Sequence, residues 1–240
     1  MIRILLLLAC CQVQVACKSR NSESDVEAIF GTDDRVEIPK SYSFIGRFGQ
    51  GCTAFSISPR LIMTAAHCTF SDVDLTWTTN GSGEKFMTTL VARGMFQSNS
   101  GVNGQLYGAE IQNDWAILKL DRPTKKWKRL GANIKKGDRV AVVGYSYDLR
   151  EATGHNNCQI KELNQNVINH DCDMQGGASG GPIMKIDGDD WLVVGIQSSE
   201  HCESSDCRNE AWNIRNSNRG CYLSPEILDQ VREVQKIYEY

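Results

Sequence analysis

From Val36 onward the apolar residues come in short stretches, each closed by a glycine or an Asn/Asp cluster. "SFIGRFG", "WAILKL", "DRVAVVGYS", "PIMKI" and "WLVVGIQSS" are examples, and several alternate apolar with polar positions. Short runs at near-regular spacing build sandwiches or barrels, because a parallel α/β fold would need helical segments between its strands. Twenty-one glycines serve the turns, and "DGDD" at 187–190 reads as a hairpin turn between two such runs. The end of the chain differs. Ser224 can cap a helix, Pro225 suits its first position, and Ile227, Leu228, Val231, Val234 and Ile237 fall on one face. The pattern predicts an all-β body with one amphipathic helix over about 225–238 packed back on it.

A chain of 240 residues suits one large domain or two lobes. A formal charge of −3 without a basic stripe leaves no footprint for nucleic acid. The cationic run Lys125 to Arg129 reads as a solvated segment between lobes. "MIRILLLLACCQVQVAC" has one cation, a brief apolar run and small residues, so 1–17 reads as a secretory signal too short to span a bilayer. "LLAC" at 7–10 also resembles a lipobox, which would place a lipid anchor on Cys10 and make the protein a periplasmic or outer-membrane lipoprotein. Both readings take the chain out of the cytoplasm, with simple secretion preferred. Residues 18–35 are polar and aperiodic, a flexible leader or short propeptide, and 36–240 form the folded domain.

Ten cysteines in an oxidising compartment should mostly form bridges; without Cys10, Cys11 and Cys17, seven remain. The spacing of Cys202, Cys207 and Cys221 lacks paired ligand motifs, so no metal site is expected. Nothing calls for a cofactor. His155, His170 and His201 sit in polar surroundings and read as surface residues.

Three segments carry chemistry. "LIMTAAHCTF" ends an apolar run in a small-residue turn that presents His67. "NDWAILKL" sets Asp114 at the mouth of an apolar strand, and "GGASGG" surrounds Ser179 with four glycines. A serine hydroxyl becomes a useful nucleophile only when an imidazole takes its proton and a carboxylate holds that imidazole in the right tautomer. Taken singly, each residue also has a structural reading: a satisfied histidine, a strand-start aspartate, a tight turn. Together, and in the order His, Asp, Ser, they point to acyl transfer.

"TAAHC", "NDWAILKL" and "GGASGGP" resemble the three signature segments of the chymotrypsin-like serine endopeptidases. The "GTDDRVEI" and "HDCDMQGGASGG" wording resembles bacterial trypsin-like and glutamyl-endopeptidase-like branches. The resemblance implies two six-stranded antiparallel β-barrels, one over about 36–125 and one over about 135–223, with the terminal helix. It implies that Ser179 attacks the scissile carbonyl, His67 is the base, Asp114 orients His67, and the Gly177 and Ser179 N–H groups form the oxyanion hole. It further implies a Cys52–Cys68 bridge, with Cys158–Cys172 the preferred second one. Protein or peptide substrates and a monomeric state follow as expectations. A catalytically silent homologue that only binds or adheres is the competing class, and an esterase using the same residues is a third.

The resemblance also suggests specificity residues. Asp173, six positions before Ser179, would sit on the floor of the primary pocket and select Arg or Lys. Ser198 would hydrogen-bond the aspartate, and Glu200 would narrow the pocket or touch substrate further upstream. Gln197 stands where preference for Glu would need a histidine. Ala178 replaces the aspartate that trypsin-type enzymes pair with a new amino terminus. The oxyanion hole is therefore expected to form without that pair.

Overall fold

The computed structural model describes residues 29–49, 51–70, 75–94, 108–188, 190–202, 211–213 and 216–239. The proposed signal and most of the leader lie outside them, as does Cys207.

The first barrel is built from β2 (Ile45–Phe48), β3 (Cys52–Ser56), β4 (Leu61–Thr64), β5 (Thr76–Thr79), β6 (Lys85–Arg93) and β7 (Ala116–Leu120). They close antiparallel in the order β2-β3-β4-β7-β6-β5. Strands this short pair only with neighbours on both sides, and closure removes the exposed edges that an open sheet would leave. All four residues of β4 are buried, its register running Leu61 to Lys119 through Thr64 to Ala116 on β7. Trp77 fills the barrel interior, its ring nitrogen donating to the Ala54 carbonyl at 3.2 Å.

The second barrel comprises β8 (Arg139–Gly144), β9 (Thr153–Asn164), β10 (Val167–His170), β11 (Pro182–Asp187), β12 (Asp190–Cys202) and β13 (Asn216–Tyr222). Their order is β9-β10-β13-β12-β11-β8, and β8 pairs back to β9; β1 (Val36–Glu37) adds to the outside of β9. The two six-stranded barrels expected from the resemblance are therefore present. The "DGDD" turn joins β11 to β12, with Asp187 opposite Asp190 and Gly188 at positive φ. Val140, Val142, Ile160, Ile168, Ile183 and Val194 pack this barrel's core.

Helix α1 (Gly108–Ile111) is a single turn before β7, and α2 (Pro225–Tyr238) closes the chain. Ser224 caps α2, and Ile227 and Val231 are the residues the helix buries in the hydrophobic core, on the face the periodicity predicts. Cys52–Cys68 and Cys158–Cys172 are disulfides, and Cys221 is a buried thiol. Among the described residues no helix is long and apolar enough to cross a membrane.

Two sequence expectations need correction. Residues 29–35, assigned to a flexible leader, are tied to the second barrel through Phe30 and Asp34, with Ile29 buried and 31–34 exposed. Their polar sequence hides this because main-chain N–H groups, not an apolar face, make the attachment. His155 and His170 are buried rather than on the surface: every residue of β10 is buried around His170, and His155 lies in the buried first part of β9, where its ring accepts from Asp173 N–H. The side chain of His201 lies outside the described residues.

Candidate active site

A single 3₁₀ turn, Ala66–Thr69, follows β4, and the small residues Ala65 and Ala66 let it bury against the first barrel. The turn holds the His67 backbone N–H 2.9 Å from Asp114 Oδ1 and the His67 Nδ1 2.8 Å from Asp114 Oδ2. One carboxylate thus fixes both the backbone and the ring of one histidine. With Nδ1–H donating to Asp114, the outward Nε2 is left as the proton acceptor. Asp114 has no solvent exposure, whereas a quarter of the His67 side chain (26%) is open.

Ser198 on β12 connects this pair to the serine. Its hydroxyl donates to Asp114 Oδ2, while its carbonyl accepts from Ser179 Oγ at 3.1 Å. The two barrels therefore meet at the site: His67 and Asp114 come from the first, Ser179 and Ser198 from the second.

Burial pushes the His67 pKa down, but the charge and hydrogen bond of Asp114, with the charge of Glu200 behind them, raise it overall. Burial pushes Asp114 up, and the facing His67 with the Ser198 hydroxyl bring it below the ordinary carboxylate range. The arrangement suits a base that charges during a reaction beside a permanently ionised carboxylate.

The glycines around Ser179 form two tight turns. Ala178 N–H donates to the Gln175 carbonyl at 3.0 Å, and Gly177 has φ +95, the geometry of a turn that needs glycine at its third position. A Cβ on Gly177 would meet the Tyr145 carbonyl at 2.4 Å, and one on Gly180 would meet the Thr53 carbonyl at 2.1 Å. Thr53 grips this segment from the first barrel. Its N–H donates to the Ser179 carbonyl at 2.8 Å and its hydroxyl to the Gly177 carbonyl at 3.0 Å. Among the described residues nothing accepts from the N–H groups of Gly177 or Ser179, the two proposed oxyanion donors.

Asp173 departs from the expectation of a free acid on a pocket floor. It is 1% exposed, and its oxygens accept from Phe30 N–H at 2.8 Å and Asp34 N–H at 2.9 Å. His155 Nδ1 accepts from Asp173 N–H at 3.0 Å. This carboxylate is committed to the segment before β1.

Glu200 lies half-buried on β12, near enough for its charge to reach His67. Gln197 points to the interior, where its Oε1 is 2.9 Å from His170 Nε2. Because His170 Nδ1 accepts from Cys172 N–H, Nε2 carries the proton. Burial pushes His170 down to about 4 despite the Gln197 hydrogen bond.

Neither Thr53 nor the His170–Gln197 pair is marked in the sequence, where each sits among ordinary strand residues.

A model of the trypsin-like peptidase domain matches residues 52–196, more than half of the chain. Serine protease 23 of Rattus norvegicus is 25% identical over 182 residues, covering 64% of this chain and 47% of that protein. The Homo sapiens protein of the same name gives the same identity and coverage. The chain spans about half the length of these curated relatives. In fold it resembles a solved Glu endopeptidase in complex with MPD, at a TM-score of 0.65 and 16% identity, over 87% of this chain and 99% of the other.

Proposed function

The chain belongs to the trypsin-like peptidase family, and from that premise we propose that it is a serine endopeptidase acting through Ser179, His67 and Asp114. The observation that carries the proposal is the double grip of one buried carboxylate on His67, continued through Ser198 to the Ser179 hydroxyl.

In this reading Ser179 Oγ turns from the Ser198 carbonyl toward His67 Nε2, gives up its proton there and attacks the scissile carbonyl. The oxyanion develops in front of the Gly177 and Ser179 N–H groups. His67, now imidazolium beside Asp114, protonates the leaving amine, and water then releases the acyl group by the reverse exchange. The intact set favours this over a silent binding homologue.

Export belongs to the same proposal. Two formed disulfides suit an oxidising compartment, and the amino-terminal pattern supplies the route. A preference for Arg or Lys would rest on Glu200 rather than Asp173, whose oxygens are occupied. Labelling by a fluorophosphonate tests the reaction: folded protein should label and the Ser179→Ala variant should not. Equal labelling of both, or none of the folded protein, would reject it. Cleavage-site profiling with a peptide library tests the residue preference, and comparing peptide with ester turnover separates a peptidase from an esterase.

A further inference from the structure

Two lines of contact run from the segment before β1 to the 172–177 stretch. The first begins at Asp173. Its carboxylate accepts the N–H groups of Phe30 and Asp34, so a five-residue loop is tied to the start of the 172–177 stretch. The second begins at Arg35. Its side chain is 1% exposed and pairs with Asp33 at 2.8 Å and with Asp148. Asp148 follows Tyr147, whose N–H donates to the Gly176 carbonyl at 2.7 Å.

The second line ends at the peptide joining Gly176 to Gly177, and the first anchors the same segment at Asp173, three residues before Gly176 in the chain. In a trans peptide the C=O and the N–H point in opposite directions. With its carbonyl held by Tyr147, that peptide must aim the Gly177 N–H away from Tyr147, toward the open side of the turn. A flip of this one peptide would put a carbonyl where an oxyanion needs a donor. A turn containing two adjacent glycines resists such a flip weakly by itself. Ala178 has no charge to help: it is fully buried, in the apolar core of the second barrel.

We infer that residues 30–35 are a built-in brace for the oxyanion hole, in which Asp173 and Arg35 act as positioning residues that hold the Gly176–Gly177 peptide. The inference rests on the endopeptidase reading above. It moves Asp173 from substrate recognition to positioning. It also replaces a charged amino terminus with main-chain N–H groups and one arginine, so no new terminus is required at Ala178. Processing can remove chain before Phe30 and leave the brace intact.

The test compares Arg35→Ala, Arg35→Lys and Asp173→Asn in the full chain, with Arg122→Ala as control. Arg122 pairs with Glu84 and Asp121 on the first barrel, in the open and away from the 172–179 stretch. Steady-state kinetics on one peptide substrate are measured beside amide hydrogen exchange of 172–179. Arg35→Ala should lower kcat about tenfold with KM little changed, short of the hundredfold or greater loss for deleting an oxyanion donor outright. It should also speed exchange in 172–179, and Arg35→Lys should recover part of both. Asp173→Asn should have a larger effect; should it not fold, Arg35→Ala decides alone. Wild-type turnover with unchanged kcat or unchanged exchange in a folded Arg35→Ala variant would overturn the brace and leave the endopeptidase reading standing. A folded wild type without turnover would reject the endopeptidase reading, and the brace's role in it, while faster exchange in the variant would still show the mechanical link.

Discussion

Thr53 Oγ1 donates to the Gly177 carbonyl at 3.0 Å, a hydrogen bond that crosses from the first barrel to the turn beside Ser179 in the second. The same hydroxyl accepts from Tyr145 N–H at 2.9 Å, so it links the turn and the loop behind it. Thr53→Val keeps the shape of the side chain but leaves one buried acceptor and one buried donor unpaired. Such groups cost about 1–3 kcal/mol each, so the denaturant midpoint should fall together with kcat. A variant as stable and as active as wild type would show that Thr53 contributes packing alone.

Asp114→Asn should lower kcat by about 10⁴-fold with the fold retained, because an amide cannot hold His67 in the tautomer that leaves Nε2 free to accept a proton. Kinetics and circular dichroism on the same sample check this. A loss below about tenfold would mean that His67 is oriented mainly by its backbone turn.

The pH dependence follows from the raised His67 pKa. Neutral His67 is the base, so acylation of Ser179 should rise with pH, with a midpoint above the ordinary histidine value of about 6.5. The sign for stability is opposite: the His67–Asp114 ion pair contributes most below that value and fades as pH rises through the folded-state pKa. The Glu200 charge favours the imidazolium, so Glu200→Gln should shift the acylation midpoint to lower pH. An unmoved midpoint in that variant would remove Glu200 from the site's electrostatics.

His170 makes a separate prediction. Its folded-state value of about 4 lies below the unfolded one, so its contribution is complete above about pH 6.5 and is lost as pH falls toward 4. The fall amounts to about 3 kcal/mol, to order of magnitude. Urea midpoints at pH 7.5 and pH 5 should therefore converge in a His170→Gln variant relative to wild type. Equal pH sensitivity of the two proteins would point to other groups.

The strand pattern and the capped terminal helix were legible in the residues because each rests on a local rule, whereas His67, Asp114 and Ser179 stood out together through their segments' resemblance to a protease family. Alternation marks half-buried strands, and Ser-Pro begins a helix. Asp173 misled because its role depends on what approaches it, and residues 30–34 lie about 140 positions away in the chain. His155 and His170 misled for a related reason: polar neighbours in sequence say little about burial when the groups that cover a strand come from elsewhere in the chain. Thr53 sits in an ordinary strand, and only the meeting of two barrels makes its hydroxyl a link to Gly177.

The sequence by itself determined the fold class, the terminal helix and the residues able to carry acyl transfer, since periodicity and turn chemistry act over a few residues. The tertiary structure alone decided what Asp173, Arg35 and Thr53 do. Their partners are long-range main-chain groups, and a backbone N–H or carbonyl leaves no mark in the identity of the residue that bears it.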